Sequence, residues 1–152
     1  MVVPSRSAAP TKVRPAFAVE PVFNLYNRQW PIYTADPQLP PAKFVFEDAR
    51  RTGRAVNSIV GAGTIIAGGT VRNSVISPGV TVEEGAVVED SVIMQDVVVG
   101  PGALVRQAIV DKNVDIPAGA LLGGDDGRDR TRFTVSDKGV VVVGKGQRVP
   151  GP

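Results

Sequence analysis

The side chains able to do chemistry are few, and the gaps among them are informative. No His and no Cys occur in the 152 residues. That removes imidazole as a general base or zinc ligand and thiolate as a nucleophile. The densest acidic group is Asp125, Asp126 and Asp129, which could attract a hard, oxygen-seeking cation. Set among Gly123, Gly124 and Gly127, it reads instead as a solvated loop, and no metal ligand set is assigned. The G-x-x-x-x-G-K-[ST] arrangement that cradles phosphate does not occur. Lys and Arg number 17 against 15 Asp and Glu, and no basic run interleaved with aromatics appears, so composition argues against a nucleic-acid partner. No apolar run approaches the roughly 18 residues of a membrane helix, and the lack of Cys permits a reducing, cytoplasmic setting.

The glycines belong to a repeat. Val60, Ile66, Ile76, Val82, Ile93, Val99, Val110 and Ile116 recur on a six-residue beat, each followed four residues later by a small or β-branched residue. Three residues after each stand Gly63, Gly69, Gly79, Gly85, Asp96, Gly102, Asn113 and Gly119, types that tolerate a left-handed backbone. A longer period overlies the short one: Asn57-Ser58-Ile59-Val60, Asn73-Ser74-Val75-Ile76, Asp90-Ser91-Val92-Ile93 and Gln107-Ala108-Ile109-Val110 are alike. Their last members lie 16 or 17 residues apart, so a coil is two hexapeptides and a shorter third side. The fold class is all-β: a left-handed parallel β-helix of hexapeptide repeats, with an extended N-terminal arm and a C-terminal β-hairpin cap. A sandwich of short strands is the competing reading. Hydrophobic content of 43% with only 5% aromatic suits a thin Val/Ile core.

The domain reading runs as follows. Residues 1–20 carry three prolines and no acid before Glu20, the composition of a disordered leader. Residues 21–55 form a linking arm: Val22–Trp30 has room for one or two helical turns, Lys43–Phe46 alternates as a short strand, and Glu47–Ala55 is loop-like. The β-helix spans 56–123. Residues 124–152 are the cap, with Arg128, Arg130 and Arg132 in a solvated stretch. Two strands, Arg132–Val135 and Val140–Val143, are joined there by Ser136-Asp137-Lys138-Gly139. Outward Val87 and Val98 carry too few charged neighbours for a fully wetted face and point to self-association.

Four elements together resemble bacterial ADP-glucose pyrophosphorylase, or glucose-1-phosphate adenylyltransferase. They are Leu25-Tyr26-Asn27-Arg28-Gln29-Trp30-Pro31-Ile32-Tyr33-Thr34, Leu39-Pro40-Pro41-Ala42-Lys43-Phe44, Ala108-Ile109-Val110-Asp111-Lys112-Asn113 and Gly139-Val140-Val141-Val142-Val143. The likeness covers about residues 21–149 and only the carboxy-terminal part of that enzyme. It implies an enzyme that makes ADP-glucose and pyrophosphate from ATP and glucose 1-phosphate, with magnesium, for glycogen synthesis. In the family, catalysis belongs to an amino-terminal α/β domain with no counterpart in these residues, so no catalytic residue and no cofactor is carried over and the chain alone is expected to be inactive. The family's β-helix builds the oligomer and helps hold a phosphorylated glycolytic effector. Lys112 and Lys145 match its cationic effector positions, with Arg106 and Arg148 nearby in sequence. Cations suit that task because phosphate takes charge-assisted hydrogen bonds from Lys and Arg.

The expected partners are a second copy of the chain or a catalytic pyrophosphorylase subunit, the chain being a separate subunit or the product of a truncated gene. A hexapeptide acyltransferase-like protein and a purely structural β-helix module are the alternatives. The first would need a base from elsewhere, since hexapeptide acyltransferases use His.

Overall fold

The computed structural model describes residues 26, 27, 29, 38–45, 51–124 and 126–152, with the backbone alone for residue 126. The expected leader and most of the arm, including nearly all of Val22–Trp30, lie outside them. The chain divides into two compact units, Met1–Ala35 and Asp36–Pro152. In the first, the Gln29 amide donates to Asn27 Oδ1 at 3.0 Å, a local side-chain turn. All that follows concerns the second.

That unit is a three-sided parallel solenoid, and each turn contributes one strand to each side. The first turn is β1 (Lys43–Val45), β2 (Arg54–Val56) and β3 (Ile59–Val60); the second is β4 (Ile65–Ala67), β5 (Thr70–Arg72) and β6 (Val75–Ile76). The third is β7 (Thr81–Val82), β8 (Val87–Glu89) and β9 (Val92–Ile93); the fourth is β10 (Val98–Val99), β11 (Leu104–Arg106) and β12 (Ala108–Val110). A fifth turn starts with β13 (Asp115–Ile116) and β14 (Leu121–Leu122). The helix α1 (Asp126–Arg130) and β15 (Thr134–Val135) interrupt it before β16 (Val141–Val143) completes it. The sheets are β1-β4-β7-β10-β13, β2-β5-β8-β11-β14 and β3-β6-β9-β12-β16-β15.

Register turns the sequence period into columns. Phe44, Ile66, Val82, Val99 and Ile116 stack on the first side, and Ala55, Val71, Val88, Val105 and Leu122 on the second. Val60, Ile76, Ile93, Val110 and Val143 stack on the third. From the second turn onward these residues are buried, and each contributes roughly 1.5–3 kcal/mol of transfer free energy. The second-side column falls off the six-residue beat, because 71, 88 and 105 each lie five residues before the next third-side position.

The corners follow the expected chemistry with one correction. Gly63, Gly79, Gly85, Asp96, Gly102, Asn113 and Gly119 all have positive φ; Gly69 does not, and Gly68 turns the chain in its place with φ 76°. Gly69 is required for a different reason: a Cβ there would lie 2.6 Å from Val82 Cγ1 and 2.8 Å from the Glu83 carbonyl. A second left-handed set, Asn57, Asn73, Asp90 and Gln107, opens each of the look-alike elements. After it runs a hydroxyl ladder. Ser74 N–H donates to Ser58 Oγ, Ser91 N–H to Ser74 Oγ and Ala108 N–H to Ser91 Oγ, each at 3.1 Å.

At the ends of the solenoid the expected short strand and hairpin are present, with shifted bounds. β1 and β2 pair with β4 and β5, so Arg54 and Ala55 belong to the sheets rather than to a loop. The hairpin strands are Thr134–Val135 and Val141–Val143, and β16 pairs antiparallel with β15 while also lying parallel on β12. The cap is thus spliced into the third side. Phe133 and Val149 bury themselves against the terminal turn. The stretch expected to be solvated keeps Arg130 and Arg132 exposed but forms α1, and its Asp129, 4% exposed, accepts the Gly123 N–H at 3.1 Å through Oδ2.

Two stability measurements check this account. Ser74→Ala leaves the buried Ser91 amide without its acceptor and lowers the unfolding free energy in urea by about 1–3 kcal/mol. Gln107, at φ 45°, lacks the short side chain that eases a left-handed backbone, so Gln107→Asn raises stability by about 0.5–1 kcal/mol.

Candidate functional site

The corner between the third and first sides carries the lysines. The third-side register runs Val60, Ile76, Ile93, Val110, Val143, and two residues further on it stacks Ala62, Pro78, Gln95, Lys112 and Lys145. Three backbone bonds hold the lower part of this corner. Gly79 N–H donates to Ala62 O at 3.0 Å, Asp96 N–H to Pro78 O at 3.3 Å and Asn113 N–H to Gln95 O at 3.0 Å.

At the top of the column a side chain makes the link between turns. Asp111 Oδ1 accepts the Lys112 N–H at 2.7 Å, and Asp111 Oδ2 accepts the Lys145 N–H at 3.2 Å. One carboxylate therefore straddles the backbones of Lys112, its neighbour in sequence, and of Lys145, 34 residues beyond it. The Lys145 loop is further closed by Gln147. Its N–H donates to Gly144 O and its Oε1 accepts the Gly144 N–H, both at 3.0 Å, while its Nε2 donates to Arg132 O at 3.1 Å. Gly146, at φ 73°, supplies the turn where Asp96 and Asn113 supply it below.

The lysine side chains are exposed, and among the described residues neither ammonium has a carboxylate partner in a salt bridge. Adjacent strands lie about 4.8 Å apart. Two unit charges at that spacing repel by roughly 1 kcal/mol in water. A phosphate with two or more charged oxygens relieves that repulsion and gains charge-assisted bonds.

The arginines part company. Arg148 is exposed and lies three residues beyond Lys145, just before the buried Val149. Arg106 ends β11 on the second side, across β12 from Lys112, and its Nε donates to Glu89 Oε2 at 2.9 Å. The same Glu89 takes Arg72 Nη1 at 3.3 Å, forming a cross-strand ion ladder. Arg106 also borders a cavity of about 190 Å³ beside α1, which neither lysine lines.

Asp111 and Gln147 are the members of the corner that sequence reasoning missed. The signal was available: Gly61, Ser77 and Met94 hold the column position that Asp111 takes in the fourth turn, so a carboxylate enters where the lysines begin. Replacing it exposes its role. In Asp111→Ala, hydrogen exchange of the Lys145 amide accelerates about tenfold, the loss of one hydrogen bond to a charged acceptor, with the β16 amides unchanged.

Comparison with known proteins bears on the solenoid as a whole. Residues 40–143 match the family described as GlmU-like, C-terminal hexapeptide. The glucose-1-phosphate adenylyltransferase of Frankia casuarinae is 62% identical over 130 residues, covering 85% of this chain and 32% of that protein. Those of Corynebacterium kroppenstedtii and Rhodococcus erythropolis are 64% and 65% identical over 135 and 129 residues, covering 88% and 85% of this chain and 32% and 31% of theirs. The chain spans about a third of the length of the curated relatives it matches. No helix among the described residues is long and apolar enough to cross a membrane. With the hexapeptide columns, the solenoid sheets and the match over 40–143 all in agreement, the chain belongs to the GlmU-like C-terminal hexapeptide family and is homologous to the C-terminal region of glucose-1-phosphate adenylyltransferases.

Proposed function

We propose that this chain is the assembly and effector-binding solenoid of a glucose-1-phosphate adenylyltransferase. The reading is supported above all by the Asp111 carboxylate, which holds the Lys112 and Lys145 backbones one strand apart. Phosphate is the chemistry that such a pair of exposed ammonium groups answers best, and a phosphorylated glycolytic intermediate is the class of effector. Arg148 reinforces the positive charge of the corner, while Arg106 is committed to Glu89.

Assembly has its own support. The outward positions of the third side are Ile59, Val75, Val92, Ile109 and Val142, an in-register aliphatic column without a charge in it. Val92 and Ile109 are 37% and 40% exposed. The outward columns of the other two sides are mixed: Lys43 and Asp115 interrupt the first, and Arg54 and Thr70 the second. The apolar third side is the face offered to a second copy of the solenoid, more than the Val87 and Val98 positions, which stand in mixed columns.

Catalysis falls to a nucleotide-binding domain or subunit that holds ATP, magnesium and glucose 1-phosphate. The 152 residues contain no Gly-rich phosphate loop to do so, and on their own they make no ADP-glucose. The test is a calorimetric titration of fructose 1,6-bisphosphate and 3-phosphoglycerate into the chain assembled with the catalytic part, as wild type and as Lys112→Ala/Lys145→Ala. One of these phosphates binds the wild type, and loss of both ammonium groups weakens it at least tenfold. A titration unchanged by the double substitution contradicts the effector site and favours a purely structural module.

A further inference from the structure

Gln147 is exposed, yet its side chain bonds in two directions. Its Oε1 accepts the Gly144 N–H at 3.0 Å, inside the Lys145 loop, and its Nε2 donates to Arg132 O at 3.1 Å, 15 residues back in the chain. One planar amide thus spans that loop and the segment between α1 and β15.

The loop depends on such bonds more than on packing. Gly144 and Gly146 flank Lys145. A Cβ at Gly146 would meet nothing within 4 Å, and one at Gly144 would meet only Gln147 Oε1, at 3.8 Å. The bond from the Lys145 N–H to Asp111 Oδ2 ties the loop to the turn below. Exposed bonds compete with water and are each worth little net, so the closed loop is held by a narrow margin.

At its far end the link lands on a peptide that is itself held. Arg132 O shares a peptide plane with the Phe133 N–H, which donates to Asp129 O at 2.8 Å, and the Arg132 N–H donates to the same oxygen at 3.1 Å. Phe133 is buried, and Asp129 accepts the Gly123 N–H through Oδ2. A continuous run of bonds therefore joins the loop around Lys145 to the end of the second side at Gly123.

We infer that Gln147 is a positioning residue of the lysine corner and couples it to the α1–β15 insert, so that phosphate at the corner tightens the insert. Lys112 stands between two strands of the regular coil, whereas Lys145 stands on the loop. A phosphate meets both ammonium groups with the loop closed, and closure aligns the Gln147 amide with Arg132 O. The coupling is reciprocal: whatever the insert adds to loop closure, it adds to phosphate affinity. This inference rests on the reading of the lysine corner as a phosphate site.

The experiment is amide-resolved hydrogen exchange by NMR on the full 15.9 kDa chain, in potassium chloride with and without inorganic phosphate at matched ionic strength. In the wild type, phosphate shifts the Lys112 and Lys145 amides along a saturating curve and slows exchange of the Phe133 amide at least threefold. Gln147→Met keeps the side-chain length without its donor or acceptor. There the Lys112 shift persists with an apparent Kd at least threefold higher, and the Phe133 rate no longer depends on phosphate. Gln147→Glu, which keeps the acceptor for Gly144 and loses the donor to Arg132, also abolishes that dependence. A purely structural Gln147 would change the Phe133 rate equally with and without phosphate, and a ratio preserved in Gln147→Met overturns the coupling. Lysine amides that shift in the wild type without any change at Phe133 overturn it too, and leave the corner standing. No shift at Lys112 and Lys145 would remove the corner and the coupling together.

Discussion

Every coil of this solenoid is held by backbone hydrogen bonds to the next, in one register. Bonds such as Ile59 N–H to Ser74 O at 3.0 Å and Val75 N–H to Ser91 O at 2.9 Å leave no freedom to slip, because a one-residue shift would turn the Val and Ile columns outward. The three sides share that constraint, and the left-handed residues at the corners make it possible for the chain to turn from one side to the next. Each residue's neighbours above and below are thereby fixed by its place in the period. Lys112 and Lys145, Arg72 and Glu89, and Ser74 and Ser91 all meet through that one constraint.

The repeat made the greater part of the fold readable in advance. Ile66, Ile76, Ile93 and Val110 are buried where a six-residue beat puts them, and Asp96 and Asn113 turn the chain where Gly does elsewhere. What escaped was governed by tertiary contact. The second-side column, Val71, Val88 and Val105, is out of step with the beat because two sides of the coil differ in length. The spliced α1 and β15 carry no hexapeptide signal, and their placement depends on a buried Asp129 carboxylate and on Phe133 reaching the core. A polar stretch of Asp and Arg reads as solvated until the partner of that carboxylate is known.

The site was half legible. Lys112 and Lys145 could be singled out by motif, but neither residue type nor spacing says that they share a carboxylate. The stretch from Lys112 to Lys145 includes the interruption by α1 and β15, so no simple count of hexapeptides brings them together. Splicing β16 onto β12 does so, because the chain leaves the third side after Val143 at the same corner where it left after Val110. The cap thus completes the corner as well as covering the sheet edge. Arg106, close to Lys112 in sequence, is drawn instead into the ion ladder on the neighbouring side.

The solenoid is a scaffold in this account, with regulation at its corner and assembly on its apolar third side, serving catalysis that resides elsewhere. The most direct test is native mass spectrometry of the species that carries this sequence in its own host. The account predicts an assembly with more than one solenoid and with an adenylyltransferase catalytic domain, on the same polypeptide or on a bound one. A lone 15.9 kDa monomer would contradict it.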